Sequence, residues 1–137
     1  MSNIASDRTS LRERRILVVE DELLVAMEME DLLVQQGCTV IGPAKDIDGA
    51  LALIANEPLD AVVLDLNLSG EAAVPLASAL SSRGVPFVVV TGYSKNQSRS
   101  PELQDAAVLE KPIDPRLLLR TLQQVIGEPF GAATQPR

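Results

Sequence analysis

Four apolar runs in this chain end in side chains that can do chemistry. Ile16–Val19 runs into Glu20 and Asp21, and the run from Asp60 to Leu66 carries Asp65 near its end, with Asn67 just beyond. A third run, from Val85, stops at Thr91, and a fourth, from Ala106 to Glu110, gives way to Lys111 and Pro112. If these runs are parallel strands of one sheet, their polar ends share one edge. Crowded carboxylates there repel one another, and a hard divalent cation such as Mg²⁺ relieves the repulsion with oxygen ligands while keeping several waters. Together with an ammonium, such a set suits phosphoryl chemistry: Asp65 as the nucleophile, Mg²⁺ and Lys111 neutralising charge on the phosphoryl oxygens, and the Thr91 hydroxyl donating a hydrogen bond. Each residue also has a plainer reading. Asp65 could be a solvated strand-end acid, Glu20 and Asp21 could favour the positive end of the next helix, Lys111 could be a surface lysine, and Thr91 a β-former. Four strand ends with complementary chemistry, in order, favour the functional reading.

The elements that must position these groups alternate regularly. Ile16–Val19 is apolar and β-branched, as expected of a strand buried on both faces. Val25, Met29, Leu32 and Leu33 then recur at helical spacing up to Gly37. A second strand is expected over Thr39–Ile41, ended by Gly42-Pro43. Asp46 is placed to cap a helix reaching Asn56, with Ala50, Leu53 and Ile54 inward. The third strand covers Asp60 to Leu66, a third helix Glu71 to Ser82, and the fourth strand Val85 to Thr91. Ala106 to Glu110 is the fifth strand, before a helix from Asp114 to Ile126 with Pro115 at its first position and Gly127 at its end. Strands alternating with helices imply parallel pairing through right-handed crossovers. The expected fold is therefore α/β, a doubly wound five-stranded parallel sheet with helices on both faces. Sites in such sheets lie beyond the carboxyl ends of the strands.

Bulk properties narrow the function classes. The 137 residues fit one domain, with hydrophobic residues at 46% and aromatic residues at 2%. The core must therefore be Val, Leu, Ile and Ala. A formal net charge of −7 repels phosphate backbones and argues against nucleic-acid binding. No run approaches membrane-spanning length, and the single Cys38 excludes an intramolecular disulfide, so a cytoplasmic protein is expected. Residues 1–14 and 128–137 are expected to be flexible tails around a domain over 15–127.

The strings ILVVEDE (16–22), VVLDLNLSG (62–70), PFVVVTGY (86–93) and LEKPID (109–114) resemble those of response-regulator receiver domains, over about residues 15 to 127. The resemblance implies the flavodoxin-like strand order 2-1-3-4-5 and makes Asp65 the phosphoacceptor. Asp21 and Asp65 would supply carboxylates to Mg²⁺, Glu20 would assist through a water, and Asn67 would offer its backbone carbonyl. Thr91 and Lys111 would be the switch hydroxyl and the phosphoryl-binding lysine. Many receivers carry an aromatic residue three before that lysine, where this chain has Val108. Tyr93 instead follows Thr91 in a string similar to the Phe-Ala-Thr-Gly-Tyr subgroup of single-domain regulators, with Val89-Val90 replacing Phe-Ala. Tyr93 is thus a candidate switch aromatic, or an ordinary loop residue.

By this resemblance the expected function is that of a phosphoacceptor in a two-component system or phosphorelay. The implied partners are a histidine kinase, of the HWE or a related class, and a downstream protein or phosphotransferase, with the domain monomeric or weakly dimeric. About ten residues follow the last helix, so output is expected through protein–protein contacts rather than substrate turnover. Two alternatives stand beside this: a receiver excised from a hybrid kinase or larger regulator, and a Mg²⁺-dependent phosphohydrolase. The latter usually needs an acid two residues after its nucleophile, where this chain has Asn67. The stretch from Gly92 to Asp105, poor in apolar residues and interrupted by Pro101, is expected to be mobile before phosphorylation and ordered after it.

Overall fold

The computed structural model describes residues 10–68, 71–72, 74–92 and 106–127. The elements run β1 (Arg15–Val19), α1 (Leu23–Gln35), β2 (Thr39–Ala44), α2 (Ile47–Asn56), β3 (Ala61–Asp65), β4 (Asn67–Leu68), β5 (Glu71–Ala72), α3 (Val74–Arg83), β6 (Phe87–Thr91), β7 (Ala107–Glu110) and α4 (Pro115–Gly127). Five of the strands form one sheet in the order β2-β1-β3-β6-β7, every neighbouring pair parallel. Numbered among themselves, these five have the order 2-1-3-4-5 expected from the sequence. The pair β4 and β5 forms a separate antiparallel ribbon directly after β3.

Burial on both faces explains why the central strands are apolar without alternation: every residue of β3 and of β6 is buried. Successive strand side chains point to opposite faces, and two cores result. Leu17, Val19, Val62, Leu64 and Val89 pack with Ala50 and Ile54 of α2 and with Leu76, Ala77 and Leu80 of α3. On the other face, Ile16, Val18, Ala61, Val63, Val88 and Val90 pack with Met29 and Leu33 of α1 and with Leu118 and Leu122 of α4. At about 25 cal/mol per Å² of apolar surface, these layers hold the strand ends in place.

Local signals act as their chemistry dictates. Asp46 caps α2, its Oδ1 accepting from the Gly49 amide at 2.7 Å. At the amino edge of the sheet, Asp60 Oδ2 accepts from the Arg15 amide at 2.8 Å, and the Arg15 guanidinium meets Glu57 Oε1 at 2.7 Å.

Two expected boundaries are corrected. The second strand does not stop at Gly42-Pro43 but continues to Ala44. Gly42 has φ +91, and a Cβ there would lie 2.8 Å from the Ala44 amide nitrogen, so only glycine fits. The register with β1 shifts across this point and pairing resumes at Val19↔Ala44. A proline, lacking an N–H, is tolerated there because β2 is an edge strand. The third helix starts at Val74 rather than Glu71, because Glu71 and Ala72 pair back with Leu68 and Asn67. Among the described residues, no helix is long and apolar enough to cross a membrane.

Candidate functional site

The parallel register brings the carboxyl ends of β1, β3, β6 and β7 to one edge. Glu20 and Asp21 follow β1, Asp65 ends β3, Thr91 ends β6 and Lys111 follows β7. Backbone hydrogen bonds extend the pairing past the strands: the Leu66 amide donates to the Val90 carbonyl at 2.8 Å, and the Lys111 amide to the Thr91 carbonyl at 2.8 Å. Lys111 is thereby anchored beside Thr91, whose side chain is buried.

Carboxylate oxygens of Glu20, Asp21 and Asp65 all lie within 4.8 Å of one another. Opposite them, Lys111 Nζ lies 3.3 Å from Glu20 Oε2, 3.4 Å from Asp65 Oδ2 and 3.2 Å from Glu22 Oε1. Glu20 and Asp65 are buried, whereas the Glu22 side chain is 63% exposed. Among the described residues, acids thus outnumber the cation at this edge. Burial, aided by the Asp65 charge, pushes Glu20 up to about 7 against the opposing pull of the Glu22 amide and of Lys111. Burial also weighs against the charged form of Lys111, but the Asp65 and Glu20 charges, with hydrogen bonds to Glu22 and Glu20, outweigh it and raise its pKa.

A hard divalent cation fits this donor set. Three carboxylates are within reach of one ion, and Glu20 Oε1 is buried without a hydrogen-bond partner. A buried polar atom left so costs about 1–3 kcal/mol, which an oxygen-seeking ion or its bound water would recover.

Of the residues singled out from sequence, Glu20, Asp21, Asp65, Thr91 and Lys111 come together here. Asn67 opens β4, two residues beyond Asp65. Tyr93 and the stretch from 93 to 105 lie outside the described residues. Sequence reasoning missed Glu22 as a partner of Lys111. A signal for it was present, because residues two apart on extended chain share a side and Glu22 is extended, with φ −89 and ψ 115.

Comparison with known proteins agrees with this geometry. The response regulator receiver domain family matches residues 16–123. The solution structure of SdrG from Sphingomonas melonis Fr1 is 38% identical with a TM-score of 0.73, covering 83% of this chain and 97% of that one. The receiver domain of the sensor histidine kinase PA1611 from Pseudomonas aeruginosa PAO1, with a magnesium ion in its active site cleft, is 26% identical with a TM-score of 0.73, covering 84% of this chain and 98% of that one. A Burkholderia pseudomallei response regulator with a phosphorylated aspartic acid and a calcium ion is 26% identical with a TM-score of 0.72, covering 85% of this chain and 70% of that one. Curated bacterial transcriptional and sensory regulators also match, and the chain spans about half to 63% of their length. The chain belongs to the response regulator receiver domain family.

Proposed function

We propose that the chain accepts a phosphoryl group on Asp65 from a histidine kinase and signals by binding another protein. The observation that carries this reading is the contact between Asp65 Oδ2 and Lys111 Nζ at 3.4 Å, beside two further carboxylates at the sheet edge. A carboxylate oxygen of Asp65 forms the O–P bond as the N–P bond of a phosphohistidine breaks, and the imidazole nitrogen keeps the electron pair and takes up a proton. Lys111 holds charge on the transferring oxygens, and Thr91, beside it, donates a hydrogen bond to one of them. Asp21, Asp65, Glu20 through a water, and the Asn67 carbonyl would hold Mg²⁺, which supplies further charge neutralisation when bound. Residues 15–127 act as the receiver unit. A kinase of the HWE or a related class, a cytoplasmic setting and the absence of separate substrate turnover belong to this proposal.

The curated relatives are longer than the matched segment, which favours a second reading in which the same receiver serves a larger regulator. The chemistry at Asp65 is common to both. Intact-mass measurement after incubation with a small phosphodonor and Mg²⁺ tests it. A single adduct, absent from Asp65→Asn and from the metal-free protein, is the expected result. A full adduct on Asp65→Asn would overturn the assignment, and continuous release of phosphate from excess donor would favour a phosphohydrolase.

A further inference from the structure

Lys111 carries three N–H donors and no acceptor, and three carboxylate oxygens lie around its Nζ at 3.2 to 3.4 Å. A phosphoryl group on Asp65 moves that charge onto three oxygens, which take over the donor of Asp65 and compete for the other two. Freeing Glu20 would strip a buried acid of its partner, which is expensive. Glu22 differs, because its side chain is 63% exposed and its carboxylate rehydrates on release. It is also not committed to its own helix. Glu22 is the N-cap of α1 yet makes no side-chain cap hydrogen bond, although an acid there ordinarily accepts one from the first turn. Its backbone is committed instead: the Glu22 amide donates to Glu20 Oε2 at 3.1 Å, which fixes both acids on the Lys111 side of the chain.

Building on the phosphoacceptor reading, we propose that Glu22 is a specificity-determining residue of this site, a displaceable anion that occupies the solvent-facing donor of Lys111 and is exchanged for the incoming phosphoryl group. At rest Glu22 adds an exposed negative charge to the two buried acids already facing Lys111, and so sets a charge-dependent threshold for donors. The more negative the donor, the more strongly Glu22 opposes its approach, so this residue discriminates between donors by charge.

The test compares Glu22→Gln with the unsubstituted protein, using two donors in Mg²⁺: acetyl phosphate, and phosphoramidate, which is less negative near neutral pH. In both reactions Asp65 gains an O–P bond, while the donor's P–O or P–N bond breaks and the leaving group keeps the electron pair. Glu22→Gln keeps length and polarity and removes the charge. The acetyl phosphate rate should rise about two- to fivefold at low salt, the range of an exposed ion pair, and the phosphoramidate rate less. The ratio of the two rates therefore rises, and it returns toward that of the unsubstituted protein as salt screens the mouth of the site. Beryllofluoride affinity should rise in parallel with the acetyl phosphate rate. A donor ratio unchanged or lowered by the substitution overturns the proposal. Absence of any adduct on the unsubstituted protein defeats the phosphoacceptor reading itself, and this one with it.

Discussion

Lys111 reaches across the sheet to Glu20. The two side chains meet at 3.3 Å although 91 residues separate them in sequence and β3 and β6 lie between β1 and β7. One ammonium thus serves carboxylates from the ends of two other strands, and protons or metal ions must make up the remaining charge. The titration of the cluster follows from this shortage.

In the metal-free protein Glu20 holds its proton up to about pH 7, whereas in the unfolded chain it ionises near 4.5. Below 4.5 both states bind the proton and the contribution of Glu20 to stability is complete. Between 4.5 and 7 the unfolded state releases the proton first, so stability falls as pH rises, by at most about 3–4 kcal/mol. Urea unfolding at pH 5 and pH 8 in chelator measures this. The drop should be visibly smaller in Glu20→Gln, and an equal drop in both proteins would contradict the assignment.

Divalent ions should reverse that trend. A carboxylate must be ionised to bind, so Mg²⁺ affinity should rise as pH increases through 7 and should be weakened by Asp21→Asn. Thermal midpoints across a Mg²⁺ titration give the affinity through the stabilisation that binding imposes. A Mg²⁺ response that is unaffected by Asp21→Asn would place the ion elsewhere.

Replacing Lys111 with Met removes the cation and leaves its acids facing one another. The metal-free protein should lose about 1–3 kcal/mol at pH 8 and regain most of it at pH 5, where Glu20 is protonated. Mg²⁺ affinity should increase, because a competing positive charge is gone, while Asp65 phosphorylation slows. Calorimetry and intact-mass kinetics on the same variant separate the two effects. Weaker Mg²⁺ binding in Lys111→Met would refute the competition.

The opposite edge of the sheet provides a control. Asp60→Ala removes the acceptor of the Arg15 amide and the 3.7 Å ion pair with Arg14. About 1 kcal/mol of stability should be lost, read as a lowered urea midpoint, with the phosphorylation rate and Mg²⁺ affinity unchanged. Altered Mg²⁺ affinity would mean that the two edges are coupled.

Much of this organisation is legible in the sequence because its signals are local. The apolar run before Glu20 and the one ending at Asp65 read as strands buried on both faces, and Asp46 reads as a cap. What escaped depends on contacts between distant segments. Gly42-Pro43 reads as a stop, since proline lacks an N–H, and only the edge position of β2 lets the strand pass through it. Glu71 reads as the first turn of a helix until its pairing with Leu68 is known. Glu22 looks like one more surface acid until β7 delivers Lys111 beside it.

The central strand has a further consequence. Along β3, Val62 and Leu64 belong to the α2–α3 layer, whereas Ala61 and Val63 belong to the α1–α4 layer. Asp65 is the next residue on this strand, so a push on its carboxylate is felt by both layers at once, as a lever resting on two springs. Close packing makes each layer stiff on the scale of a single methylene. Genetic suppressors of a damaged Asp65 neighbourhood should therefore arise on either side of the sheet, including in α2 and α3, which supply none of the site residues named above.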